Sequence, residues 1–146
     1  MKFNATEAFA ALVQASAALH QSGWTRELGM RFDEELGRIV AQHAIQSGAT
    51  QQDVWMFANI MYDYGMEMAL MRFCYEVEGD GFNVPYDFEG GETAKPGHPG
   101  HDLRAAMDIK AMAKRGRQIG WQAAWCPFRG PAEQAWFEGF RDDISL

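Results

Sequence analysis

Lys110, Lys114, Arg115 and Arg117 crowd into about two turns of a potential helix, with no acidic residue among them. Cations at that spacing can contact successive phosphates, through bonds whose affinity falls steeply with salt. Arg129 could extend the patch, and Trp121 or Trp125, if exposed, could stack on an unpaired base. The plain alternative is a solvated, charged helix face. Other chemistry is less developed. His98 and His101, with Asp87, Glu89 and Glu92 nearby, could share a metal, but no third ligand has motif spacing, so no metal site is expected. Asp80-Gly81 lacks the alternating oxygen ligands of a calcium loop. No glycine-rich phosphate loop opens a helix, and no Gly-x-Ser-x-Gly is present. Neither an enzymatic reaction nor a cofactor is expected.

These cations stand out against an acidic background. The chain has 146 residues and a formal net charge of −7, which argues against a general nucleic-acid binder. The charge is uneven: residues 1–101 carry 6 Lys/Arg against 14 Asp/Glu, and residues 102–146 carry 7 against 6. Two cysteines, Cys74 and Cys126, do not make a disulfide framework. The N-terminus does not read as a signal peptide, and no apolar run reaches the roughly 20 residues a bilayer requires. A soluble, cytoplasmic protein without a membrane partner is expected.

The elements that must hold the cations read as all-α. Asn4 and Glu7 have the form of a capping box, followed by Phe9, Leu12, Val13 and Leu19 at helical spacing and a stop at Ser22-Gly23. A second helix is expected from Thr25 to near Gly48, with Leu28, Phe32, Leu36, Ile39 and Val40 on one face. Gly29 and Gly37 inside it each cost about 1 kcal/mol relative to Ala, and are expected to admit a neighbouring helix closely. Thr50 and Asp53 cap a third helix, expected to run to about Tyr75 and apolar nearly all round. Its methionines suit a core and also a binding face. This three-helix unit, 1–78, is followed by a Gly/Pro-rich linker or loop, 79–101, in which Val84, Tyr86 and Phe88 alternate as in an extended piece. Asp102 then caps a fourth helix through about Trp125, closed by Cys126-Pro127. Pro131 opens a fifth, ending near Asp143. Residues 102–146 therefore form a helical hairpin. It is expected to pack on the first unit, because the third helix has more apolar surface than two partners would cover.

Within the hairpin, Gly116, Gly120 and Ala124 are four apart, as are Trp136 and Phe140, beside Gly139. The simplest packing sets Trp136 and Phe140 over the Gly116/Gly120 groove, with Cys126 and Phe128 plugging the turn. Cys126 is then a small buried hydrophobe rather than a nucleophile. The pattern Arg115-Gly116-x-Gln118-x-Gly120, Cys126-Pro127-Phe128, Trp136-x-x-Gly139-Phe140-Arg141 resembles the ribosome modulation factor family over residues 104–143. The resemblance implies a helical hairpin that binds the small ribosomal subunit. Three features depart from the family pattern: Arg117 replaces an aromatic residue, the gap from Gly120 to Cys126 is shorter, and an acidic domain precedes the hairpin.

Three functions follow as expectations. The first is a binding or regulatory protein whose hairpin contacts a ribosome or another structured ribonucleoprotein through Lys110, Lys114, Arg115, Arg117, Trp121 and Arg129. The second is a phage or mobile-element inhibitor of a host defence complex, of the anti-CRISPR kind, acting by protein–protein binding. The third is a structural or assembly protein that forms homo-oligomers through the Met-rich third helix.

Overall fold

In the structure, a computed structural model that describes residues 3–79 and 109–141, six α-helices are present and no strand occurs among the described residues. They are α1 (Ala5–Gln21), α2 (Met30–Gln46), α3 (Gln51–Asp63), α4 (Glu67–Glu78), α5 (Ile109–Gln118) and α6 (Pro131–Arg141). The fold is all-α. Short 3₁₀ turns at Arg26–Leu28 and Ala123–Trp125 lie in the connections. The extended piece at Val84–Phe88, the rest of the linker beyond Gly79, the Asp102 cap and the Asp143 terminus fall outside the described residues.

Short polar side chains start α1 and α3. Asn4 Oδ1 accepts from the Glu7 amide at 3.1 Å. Thr50 and Asp53 form a full capping box, with the Asp53 amide on Thr50 Oγ1 at 3.2 Å and the Thr50 amide on Asp53 Oδ2 at 3.0 Å. Two of the orphan amides of α3 are thereby satisfied.

Left-handed glycines end four of the helices in the same way. Gly23, Gly48, Gly65 and Gly120 all have positive φ. In each case the next residue's amide reaches back to the carbonyl five positions earlier: Trp24 to Leu19, Ala49 to Ala44, Met66 to Met61 and Trp121 to Gly116, at 2.8–3.0 Å. This is the Schellman closure, which only glycine enters without a Cβ penalty.

Three expected spans are therefore corrected. The apolar run from Thr50 is two helices, because Tyr64-Gly65 stops α3 and Met66 begins a new direction. The second helix begins at Met30, since Gly29 (φ 61°) breaks the backbone after a 3₁₀ turn. The fourth helix ends at Gln118 rather than Trp125, closed by Gly120.

α1 packs on α2, α2 on α4, α3 on α4, and α5 on α6. The tightest of these approaches is at Gly37. A Cβ there would lie 2.2 Å from the Ala69 carbonyl oxygen and 2.9 Å from Arg72 Cβ, so Gly37 does admit a neighbouring helix. Gly29 does not: nothing lies within 4 Å of its Cβ position, and its role is conformational.

Edge-to-face rings run through the core from the first helices into the hairpin. Phe73 meets Phe57 (5.2 Å), Phe57 meets Phe9 (4.7 Å), Phe9 meets Tyr64 (5.6 Å), Tyr64 meets Phe128 (5.6 Å) and Phe128 meets Trp136 (6.0 Å). Each such pair adds about 0.5–1.5 kcal/mol beyond its area burial. One apolar cluster contains buried residues of 8–74 and of 109–136 together, so the hairpin and the first four helices share a core.

Polar clasps line this seam. Ser16 Oγ, fully buried, donates to the Trp125 carbonyl at 2.6 Å. The Arg129 amide donates to the Tyr64 carbonyl at 3.0 Å. That carbonyl accepts from the hairpin corner at the point where α3 stops. Gly65 is required at the same point, because a Cβ would come within 2.6 Å of Arg129 Cβ.

Candidate nucleic-acid interface

α5 has the sequence Ile-Lys-Ala-Met-Ala-Lys-Arg-Gly-Arg-Gln, four cations and no acid. Ile109, Ala113 and Gly116 turn inward, at spacings of four and three. Lys110, Lys114 and Arg115 remain exposed on the outside. Arg115 and Arg117 fall in the last turn, where the helix dipole favours positive charge.

The close of α5 explains much of the glycine pattern. Gly120 allows the chain to reverse, and the reversed chain lays the Trp121 ring on the helix at Gly116. A Cβ at Gly116 would sit 2.0 Å from Trp121 Cε3. Trp136 lies behind Trp121, nearly parallel to it at 14° and 6.0 Å between centroids. The ring that lies on Gly116 is that of Trp121 rather than Trp136, and Gly120, with nothing near its Cβ position, serves the turn instead of a groove. The helix–helix approach is instead at Gly139, whose Cβ position is 2.4 Å from the Lys110 carbonyl oxygen and 2.7 Å from Ala113 Cβ.

The six candidate residues therefore separate. Lys110, Lys114 and Arg115 are exposed along α5. Arg117 is half-buried and its Nη1 donates to the Phe140 carbonyl at 2.6 Å, which satisfies one of the last carbonyls of α6. Trp121 is half-buried between Gly116 and Trp136. Arg129 lies at the seam, where Nη2 bonds Asp33 at 3.0 and 3.3 Å and Nη1 is buried without a partner. Trp125 is buried and offers no exposed face for stacking. Ile119, exposed just beyond the end of α5, escaped the sequence reading, its only signal being its place beside a glycine turn; Arg141, which entered that reading only as the close of the motif, is exposed one residue beyond the carbonyl that Arg117 caps.

Four arginines outside α5 hold carboxylates, while Arg31 of α2 is exposed with no ion-pair partner among the described residues. Arg26 pairs with Glu133 at 2.6 Å, Arg72 with Glu76 at 2.5 Å, Arg129 with Asp33, and Arg38 with Glu35. Lys114 and Arg115 have no ion-pair partner among the described residues.

Both thiols are buried and unpaired. Burial, the larger cause, with Glu78 nearby, pushes Cys74 up to about 12; burial pushes Cys126 up to about 11. Both stay protonated near neutrality, so Cys126 packs as a small apolar group. No cluster of three His, Cys, Asp or Glu side chains occurs among the described residues; His98 and His101 lie outside them.

His20 sits beside the seam, its ring 5.0 Å from that of Phe32. Burial first, and the Arg26 charge second, hold it below the usual imidazole value, although the C-terminal end of α1 favours the cation. The folded state thus binds fewer protons here than the unfolded chain. Its contribution is fully present above the unfolded value, 6.5, and is lost as pH falls below it. Asp33, raised chiefly by burial against the pull of Arg129 and Arg26, acts with the opposite sign at lower pH. Wild type should therefore melt at a lower temperature at pH 5.5 than at pH 7.5, and His20→Gln should lose part of that difference. An unchanged difference in the variant would contradict the assignment.

No family model matches the chain, and no curated protein or solved structure matches it either. No helix among the described residues is long and apolar enough to cross a membrane.

Proposed function

We propose that this chain is a non-enzymatic binding protein whose hairpin engages a ribosome, or another structured ribonucleoprotein, through the outer face of α5. The observation that carries this reading is the clustering of exposed cations on one helix. Lys110, Lys114 and Arg115 are exposed along α5, and Lys114 and Arg115 have no ion-pair partner among the described residues; Arg26, Arg38, Arg72 and Arg129 pair with carboxylates, and Arg31 of α2 is exposed and unpaired but has no such cluster around it on its helix. A phosphate backbone is the partner such a face suits, because exposed cations release its counterions on binding. The motif resemblance to the ribosome modulation factor family points the same way. Arg117 serves partly in the fold and partly in the positive field. Trp121 supports the face from behind, packed on Gly116, and Arg129 is committed to Asp33 at the seam, so neither is assigned to the partner.

Cosedimentation of the full chain with purified small ribosomal subunits at low salt tests this. Wild type is expected in the pellet. Lys114→Glu with Arg115→Glu is expected in the supernatant, with its helical circular dichroism unchanged. Absence of wild type from the pellet, or indifference to the charge reversal, would sink the proposal. Capture of a host defence complex from lysate, without ribosomal proteins, would favour the inhibitor reading instead.

A further inference from the structure

The outer surface of α5 is an arc whose composition selects among forms of nucleic acid. At about 100° per residue, Lys110 and Arg115 mark its two edges, about 140° apart, with Lys114, Gln118 and Ala111 between them. All five are exposed. Three are cations, one is an amide and one is a methyl group; none is acidic and none is aromatic.

No ring lies on this arc. Gly116, which Trp121 covers, is about 160° round the helix from both Lys114 and Gln118, so Trp121 occupies the far side. Every aromatic ring of the described hairpin is buried or half-buried. Trp121 is packed against Gly116 and Trp136, and Trp125, Phe128 and Trp136 are buried. Unpaired RNA is recognised largely by stacking splayed bases on exposed rings. The arc lacks that platform and offers contacts to phosphate and hydroxyl groups instead.

The arc is also shallow. Gly139 brings α6 against its Lys110 edge, with a Cβ position 2.4 Å from the Lys110 carbonyl oxygen. Two helices side by side are about 20 Å wide. That is broader than the ~12 Å major groove of B-form DNA and than the deep, narrow major groove of A-form RNA. The wide, shallow minor groove of A-form RNA suits such a surface. Ala111 lets the helix backbone approach closely. The Gln118 amide, donor and acceptor at once, matches a ribose 2′-hydroxyl. Lys110 and Lys114 lie on one side of this line and Arg115 on the other, which directs them to the phosphates of opposite strands.

Given that α5 is the phosphate-binding face proposed above, we infer that it docks on the minor groove of double-helical RNA and reads backbone rather than bases. Charge confines the contact to the arc. Glu138 is exposed on the neighbouring α6, and the chain carries −7 overall, so phosphates beyond the arc are repelled. Three cations on phosphate correspond to a shallow salt slope, about −2 to −3.

Fluorescence anisotropy of the full chain at low salt tests this with three probes: a mixed-sequence RNA duplex, an unpaired RNA strand of the same length, and the DNA duplex of the same sequence. The RNA duplex is expected to bind about tenfold more tightly than either alternative, with the slope given above. Lys114→Gln with Arg115→Gln is expected to weaken that binding by about tenfold or more with unchanged circular dichroism. Gln118→Ala is expected to keep the salt slope and to lower the preference for the RNA duplex over the DNA duplex by about threefold. Equal or tighter binding of the single strand or of the DNA duplex would overturn the inference, as would a preference that Gln118→Ala leaves whole or duplex binding indifferent to the double substitution. So would failure to bind the RNA duplex in a chain that binds small ribosomal subunits, an outcome that leaves the ribosomal reading standing. Binding to the RNA duplex without binding to the subunits would overturn the ribosomal reading and support the inference.

Discussion

Trp136→Ala should destabilise the whole chain by about 3–5 kcal/mol, the loss seen when a large aromatic leaves a packed core. Trp136 is fully buried. It stacks on Trp121, meets Phe128 edge-on and lies 5.3 Å from Phe140. Its Nε1–H donates to the Ala123 carbonyl at 2.9 Å, so truncation leaves that carbonyl unsatisfied as well as opening a cavity. Because the rings continue through Phe128 and Tyr64 into the first four helices, the loss should appear as one shifted unfolding transition. For a chain of this length the melting temperature should drop by roughly 10 °C or more. Trp136→Phe, which keeps the ring and loses the hydrogen bond, should lose about 1–3 kcal/mol. Guanidinium unfolding followed by far-UV circular dichroism and by tryptophan fluorescence measures both effects. Two separate transitions, with only the hairpin affected, would contradict a shared core.

Gly37→Ala should also destabilise, against the usual sign for a helix interior. On an open helix face the exchange gains about 1 kcal/mol. Here the new methyl would meet a backbone carbonyl oxygen at 2.2 Å, and neither α2 nor α4 can relieve that by rotating a side chain. The helices must move apart, at a cost of about 1–3 kcal/mol net of the propensity gain. The chemical denaturation midpoint should fall with an unchanged slope. A midpoint equal to or above wild type would show that α4 does not approach α2 as described.

The sequence made three helix starts readable, because caps are local chemistry, whereas the uncapped starts at Met30 and Glu67 were not readable. Asn4, Thr50 with Asp53, and Pro131 each satisfy or tolerate the orphan amides of their own first turn. The stops at Gly23 and Gly48 were readable for the same reason. The stop at Gly65 was not, since apolar residues continue at helical spacing on both sides of it. Its purpose is long-range: the break frees the Tyr64 carbonyl for the Arg129 amide, and only a glycine leaves space for Arg129. Gly116 and Gly120 were seen as one groove, yet they serve two roles, one covered by Trp121 and the other turning the chain.

The candidate interface was legible as composition and not as geometry. Clustering of cations singles out α5, on which Lys110, Lys114 and Arg115 are exposed. Sequence could not separate those three from Arg129, whose carboxylate partner Asp33 lies 96 residues away, or from Trp121, whose ring is committed to Gly116.

The most direct measurement of the α5 proposal is the salt dependence of binding to purified small ribosomal subunits. The logarithm of the binding constant should fall linearly with the logarithm of salt concentration, and Lys114→Gln with Arg115→Gln should reduce the slope by about 1 for each phosphate contact removed. A slope that the double substitution leaves unchanged, or the absence of wild-type binding at low salt, would contradict the proposal that these cations meet phosphate.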